Sequence, residues 1–335
     1  MTRTRRRLLR DAPLALAAGA AMALPRPARA AWPERPLRLV VAFPPGGAVD
    51  RIARLVQPRI AEFLGQSVVV ENRGGGAGVI ALNSVAAAPA DGHSILVDDL
   101  SFLVSPLLSA TGAGAYPVTF RAVGALAEMP VMLAASRQSG IGSFEAYLQT
   151  ARLAELPLVY GTPGIGSIGH VAGALLGHRT GLRFQHVPYR GSADMARDLA
   201  GGRLDSAYLT PSTFLTLAEA GRAVPLAISS GGWEGLPPGL PRLDRFGLEG
   251  TEEAGAGLAN WVAAFIPDGT PRDARLMLEA ALDYATQDQD LARILAGFGA
   301  RPVTGPLSGF RRRLVQEEAL LRRLVAEAGL GIPAG

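Results

Sequence analysis

The chain of 335 residues contains no cysteine and no lysine, so arginine supplies all 33 of its basic side chains. Without cysteine there are no disulfide staples, no thiol nucleophile and no cysteine-held iron–sulfur or zinc site. Without lysine, a Walker-type phosphate loop, Schiff-base chemistry and a Tyr/Lys dehydrogenase pair are excluded as well. Histidine is scarce. His93, His170, His178 and His186 are the four, and none is spaced i, i+4 for a metal site on a helix.

The most informative segment that is present lies at the start. Thr4-Arg-Arg-Arg-Leu-Leu-Arg10 is a basic head with paired arginines, followed by an apolar, Ala-rich run from Ala12 to Leu24. Pro25 and then Ala28-Arg29-Ala30, a small-x-small cleavage signature, complete the layout of a bacterial export signal of the twin-arginine type. The run of about 13 residues is too short to cross roughly 30 Å of hydrocarbon, so cleavage after Ala30 is expected instead of a permanent anchor. Seven of the 33 arginines and one of the 29 acids fall in residues 1–30, leaving 26 bases against 28 acids. A mature chain near neutrality offers no concentrated basic face, and a nucleic-acid partner is not expected.

About 305 mature residues exceed one usual core, and two domains are the default. Pro36–Phe43 reads as a buried strand closing on the turn Pro44-Pro-Gly-Gly47, and apolar residues at helical spacing follow (Ile52, Leu55, Val56, Ile60, Phe63) until Gly65. Strand 67–70, glycine loop 74–78, a helix over about 79–88, the turn 89–92 and strand 94–97 complete a β-α-β-α-β run, which predicts a parallel sheet. The pattern restarts with strand 156–160, a Gly turn, a helix over about 167–176, strand 184–188, helix 193–200 and strand 204–209. Helices are expected at about 272–285, 288–297 and 307–328.

Two strand–Gly turn–helix junctions stand out, one in each unit: Pro45, Gly46, Gly47, Ala48, Val49 and Asp50, and Pro163, Gly164, Ile165, Gly166, Ser167 and His170. Ligands of open α/β sheets sit at the carboxyl ends of strands, where helix N-termini present unbonded N–H groups and partial positive charge. The pair is predicted to close on a small anion from both sides. Gly164, Gly166 and Gly169 also spell G-x-G-x-x-G, but no acid ends the next strand, which runs to Pro188-Tyr189-Arg190. Asp98 and Asp99 read as a pair just past a strand end. They either face the cleft and bind a cation or amino group, or are solvated loop acids.

Several ordered stretches carry a family resemblance: Trp32–Gly47 with Asp50, Leu64–Arg73, Pro89–Gly92, Gly164–Ser167 with His170, His186–Gly191, Gly201–Asp205 and Ala264–Pro271. They resemble the Bug-type extracytoplasmic solute receptors, the substrate-binding proteins of tripartite tricarboxylate transporters. The resemblance implies a periplasmic two-domain α/β Venus flytrap with two crossover strands, binding a small carboxylate through main-chain N–H groups of the two loops. Its motifs add Tyr189 and Asp205 to the expected ligand-binding set. This chain departs from the family where Ala48 and Val49 replace the usual Gly and Thr. It departs again where Asp98 and Asp99 replace small or hydroxylated residues, which shifts the expectation away from a plain di- or tricarboxylate.

The expected domains are 31–127 with 257–335, and an inserted 128–256. The expected function is a monomeric, non-enzymatic periplasmic receptor without a cofactor or metal. It would deliver a small organic acid or amino-acid-like ligand to membrane permease subunits. The rivals are an exported NADP-dependent oxidoreductase and a ligand sensor feeding a signalling partner.

Overall fold

The computed structural model describes residues 32–108, 119–248, 250–251 and 257–330, so the expected export segment 1–30 lies outside the described residues. The first half contains β1 (Leu37–Val41), α1 (Ala48–Leu64), β2 (Val68–Asn72), α2 (Val79–Ala86), β3 (Ser94–Asp99), α3 (Ser101–Val104) and β4 (Phe120–Met129). The middle contains β5 (Met132–Ser136), α4 (Phe144–Leu153), β6 (Leu158–Thr162), α5 (Ile168–Thr180), β7 (Phe184–Pro188), α6 (Ser192–Ala200), β8 (Ser206–Leu209), α7 (Pro211–Glu219) and β9 (Ala223–Ile228). Strand β10 (Asn260–Pro267) and helices α8 (Arg272–Thr286), α9 (Gln289–Ala296) and α10 (Leu307–Glu327) close the chain.

The strands form two five-stranded sheets, ordered β2-β1-β3-β10-β4 and β7-β6-β8-β5-β9. In each, three strands run parallel and the fourth in spatial order is antiparallel to both its neighbours. That fourth strand arrives from the other lobe: β5 follows β4 through Pro130-Val131, and β10 returns after β9. The two-domain α/β architecture with two crossovers is the one expected from the sequence.

Strand β1 shows why these residues take these places. Leu37, Leu39 and Val41 pack with Ile52, Val56 and Ile60 of α1, while Val40 faces the opposite layer with Leu82 and Leu96. A strand buried on both faces must be largely apolar, and the one charged side chain of β1, Arg38, is partly exposed and donates to Glu71 and Ser94 at 3.2 and 2.9 Å. Helix α1 buries one stripe at 3–4 residue spacing and ends at Gly65, whose φ of 62° is the left-handed cap that a Cβ disfavours. Helix α8 packs on α1 and β4, and α10 lies against α3, β4 and α5, touching both lobes.

Strand β3 runs two residues further than expected, because Asp98 and Asp99 pair with Ala263 and Val262 of β10. They are strand residues, not loop acids, and adjacent strand residues point to opposite faces.

Candidate cleft between the lobes

The carboxyl ends of β1, β6, β7 and β8 meet across a cavity of about 320 Å³. Four helices begin at its wall: α1 after Gly47, α5 after Ser167, α6 after Gly191 and α7 after Thr210. The first N–H groups of any helix have no carbonyl partner within it, so each start presents donors and partial positive charge. No side chain caps the backbone at the starts of α1, α6 or α7. At α7 the first position is Pro211, which has no N–H to satisfy. Its start carries hydroxyls instead: Thr210 Oγ1 lies 3.3 Å from Ser212 Oγ and 3.1 Å from Thr213 Oγ1.

The first loop is held in shape from beneath. Gly46 has φ 85°, and its N–H donates to Asp50 Oδ2 at 2.8 Å. Arg54 Nε and Asn72 Nδ2 donate to Asp50 Oδ1 at 3.0 and 2.9 Å, and Asn72 Nδ2 also reaches Phe43 O at 3.0 Å. Burial pushes the Asp50 carboxyl up, but the bonds from Arg54, Gly46 and Asn72 outweigh it and hold the group below the usual range. At 3% exposure its oxygens are engaged by the protein itself, so Asp50 shapes the loop and does not line the cavity.

The second loop is self-capped. Ser167 Oγ donates to Gly164 O at 2.8 Å and accepts from His170 N at 3.3 Å. Behind it His170, 8% exposed, stacks on His186 with centroids 4.3 Å apart, and His186 Nε2 lies 2.7 Å from Thr162 Oγ1. Burial lowers the pKa of His170 to about 4; burial and then the neighbouring imidazole lower His186 to about 4. Both rings are neutral at pH 7.

Of the expected site residues, the cavity brings together Pro45, Gly46, Gly47, Ala48, Val49, Asp99, Pro163 and Ser167. Pro163, Gly164, Ile165 and Tyr189 line an adjoining interlobe cavity of about 420 Å³, where they face Gly75, Gly76 and Val79. Gly166 and His170 stand behind the loop, and the φ of 92° at Gly166 explains its glycine better than ligand approach does. Besides Asp50, two expectations are corrected by placement. Asp98 is 1% exposed and turned into the protein, where its Oδ2 would stand 2.7 Å from a Cβ on Gly78. Asp205 precedes β8 and accepts from Val159 N at 2.7 Å, near the start of β6 and therefore at the opposite end of the sheet from the cavity.

The sequence reading missed the α6 and α7 starts. Arg190, Ser192, Asp194, Thr210, Ser212, Thr213 and Thr216 line the cavity with Arg51 and Asn260. Their signal was available, since Tyr189-Arg-Gly-Ser192 and Thr210-Pro-Ser-Thr213 are also strand-to-helix turns. Asp99, Asn260 and Val131 belong to or adjoin the crossover strands and form the floor, whereas Arg51 and Arg190 are exposed. Pro44 of the first lobe meets Gly191 of the second, where a Cβ would stand 3.2 Å from Pro44 Cγ.

Two lobes joined by crossover strands around a cleft, with helix N-termini aimed into it, define a solute-binding protein. The profile of the tripartite tricarboxylate transporter family receptor matches residues 52–330, and the chain belongs to that family. It is 33% identical over 276 residues to the UPF0065 protein of the tcbD–tcbE intergenic region of Pseudomonas sp. strain P51, covering 82% of this chain and 81% of that one. Two solved structures each superpose with a TM-score of 0.80, covering 90% of this chain and 99% of the other. One is R. palustris Rpa4515 with adipate, 30% identical, and the other is the periplasmic binding protein BugD, 26% identical. The Bug-type resemblance is thus borne out, and the chain is a solute-binding receptor of a transporter family. The G-x-G-x-x-G run serves that fold: at Gly169 a Cβ would meet Tyr208 Cβ at 2.5 Å, so this glycine lets α5 sit close on β8. Among the described residues no helix is long and apolar enough to cross a membrane.

Proposed function

We propose that this receptor, exported by a cleaved twin-arginine signal, captures a small carboxylate in the cleft. It then closes on the ligand as a monomer and presents it to permease subunits of the tripartite tricarboxylate type, doing no chemistry. The lobes in this reading are 31–127 with 257–335, and 128–256. The observation that carries it is the convergence of four helix starts on one cavity, a ready anion site built without lysine. The adipate of the R. palustris relative supports a carboxylate as ligand. The ligand-contacting set is Gly46–Val49, Asp99, Pro163 and Ser167, joined by Arg190, Ser192, Thr210 and Thr213. Closure needs only a ligand that binds the closed state better than the open one.

The test is isothermal titration of the mature chain, residues 31–335, against mono-, di- and aminocarboxylates of three to six carbons, with matched neutral amides as controls. Saturable binding of at least one carboxylate, absent for its amide, is expected. A panel in which amides bind as well as acids would remove the anion site from the argument.

A further inference from the structure

The floor of the cavity holds a carboxyl group, Asp99, that the helix starts do not explain. Asp99 ends β3, and its Oδ1 accepts from Ser101 N at 2.9 Å while Oδ2 accepts from Asn260 Nδ2 at 3.0 Å. Two donors aimed at its two oxygens favour the acceptor-only carboxylate over the acid. The adjacent Asp98 is enclosed: its Oδ1 accepts from Asp99 N at 2.8 Å and Ser101 Oγ at 3.2 Å. Neighbouring buried acids resist ionising together, and the more enclosed one keeps the proton. Burial first, and then the charge of Asp99, push Asp98 well above the ordinary carboxylate range; burial raises Asp99 less far. Of the two, the acid that lines the cavity is therefore the more readily ionised. Among the described residues no arginine or histidine pairs with Asp99, whereas Asp194, the other acid of the wall, is bonded to Arg197 at 3.0 Å.

From this geometry we infer that Asp99, backed by Asn260, is a subsite for an ammonium group, and that the preferred ligand is an aminocarboxylate zwitterion. Its carboxylate lies at the helix starts, its methylenes run past Val49, Val131 and Leu209, and its ammonium meets Asp99. A second carboxylate at that end would face an uncompensated negative charge. The inference rests on the carboxylate reading of the same cavity and assigns the chemistry of the ligand's other end.

The test compares ligands matched in length and differing at one end. Adipate and 6-aminohexanoate, with their three- to five-carbon homologues, the α-amino acids of the same lengths and the plain monoacids, are titrated into the mature protein and into Asp99→Asn and Asp99→Ser variants. Circular dichroism and melting confirm that each variant folds. For the wild type, the best aminocarboxylate should bind at least tenfold tighter than its matched diacid. Asp99→Asn, which keeps an acceptor for Asn260, should lose at least tenfold for the aminocarboxylate and bind the diacid tighter than the wild type does. Diacid binding that equals or exceeds aminocarboxylate binding at every length, unchanged in both variants, overturns this inference and leaves the carboxylate reading intact. Silence of the whole panel, diacids included, overturns both.

Discussion

Acidification from pH 7 to pH 4 should weaken the protein through His170 and His186, and the sign follows from their surroundings. Gly166 N donates to His170 Nδ1 at 3.4 Å, so that nitrogen is an unprotonated acceptor. Thr162 Oγ1 gives its one hydrogen to Gly164 O at 3.1 Å, so it accepts from His186 Nε2. Each ring is neutral in the folded state, with a pKa of about 4 against 6.5 in the unfolded chain. Between those values the unfolded chain binds protons that the folded one refuses, so stability is whole above pH 6.5 and is lost as the pH falls toward 4. At about 1.4 kcal/mol per pH unit the loss is about 3 kcal/mol for one ring, and less than twice that for both, because the stacked rings share one desolvated space. The acids that burial raises, Asp98, Asp99 and Glu317, act oppositely and gain stability as the pH falls. A difference measurement is therefore needed. Urea unfolding at pH 7, 6, 5 and 4 should be run on the wild type and on a double variant, His170→Asn with His186→Gln, whose amides keep the same polar atoms without titrating. The wild type should lose between about 3 and about 6 kcal/mol more than the variant across the window. Parallel pH curves for the two proteins would refute the assignment of neutral, desolvated imidazoles behind the second loop.

Three further outcomes follow from the cleft and its hinge. Gly47→Val should fold normally, since φ is −74° and a Cβ there meets nothing nearer than Pro44 O at 3.7 Å, yet weaken carboxylate binding at least tenfold in calorimetry by crowding the start of α1. Gly191→Val should leave the melting temperature within about 3 °C but raise Kd severalfold, because φ 170° suits any residue and the new side chain wedges against Pro44 as the lobes meet; small-angle scattering should show a more open ligand-bound form. Glu317→Ala should cost about 3–5 kcal/mol in urea unfolding, since it strips Arg313 Nε (2.8 Å) and Trp261 Nε1 (2.6 Å) of their buried acceptor. A loss under 1 kcal/mol would mean that the cluster is solvated.

Much of this fold is legible because apolar runs and periodicity mark β1, α1, α8 and α10 and glycine closes α1 and α5, and these elements begin and end within a few residues of expectation. Helices α4 and α7, which bury Phe144, Tyr147 and Ala151 in one and Pro211, Phe214 and Leu217 in the other, were not among the expected elements. Strand β9 carries Pro225, which argues against a strand until the irregular pairing of Ala134 beside it is known. Of the site, the Gly turns were readable since helix starts after strands are local features. The side facing the cavity at Asp98-Asp99 was not, because alternation makes one acid buried and the other lining, and only the pairing with β10 fixes which. Asp205 could have been placed correctly: it precedes its strand, and ligands gather where parallel strands end.

The crossover strands tie recognition to closure. Beneath the floor, Glu128 at the end of β4 accepts from Arg301 and Arg313 at 2.8 and 2.7 Å, and Arg313 joins Glu317, which holds Trp261 of β10. This network ties β4 and β10 to α10, so in the proposed closure the floor would be the fixed part of the site. The starts of α5, α6 and α7 belong to the second lobe and would be the part that swings in. On this reading a ligand anchored at Asp99 would meet a fixed group first, and its carboxylate would complete contacts only when the second lobe swings in. Only those late contacts distinguish closed from open, so they alone shift the population. In the proposed cycle the floor would choose the ligand, and the helix starts would convert its binding into the closed shape.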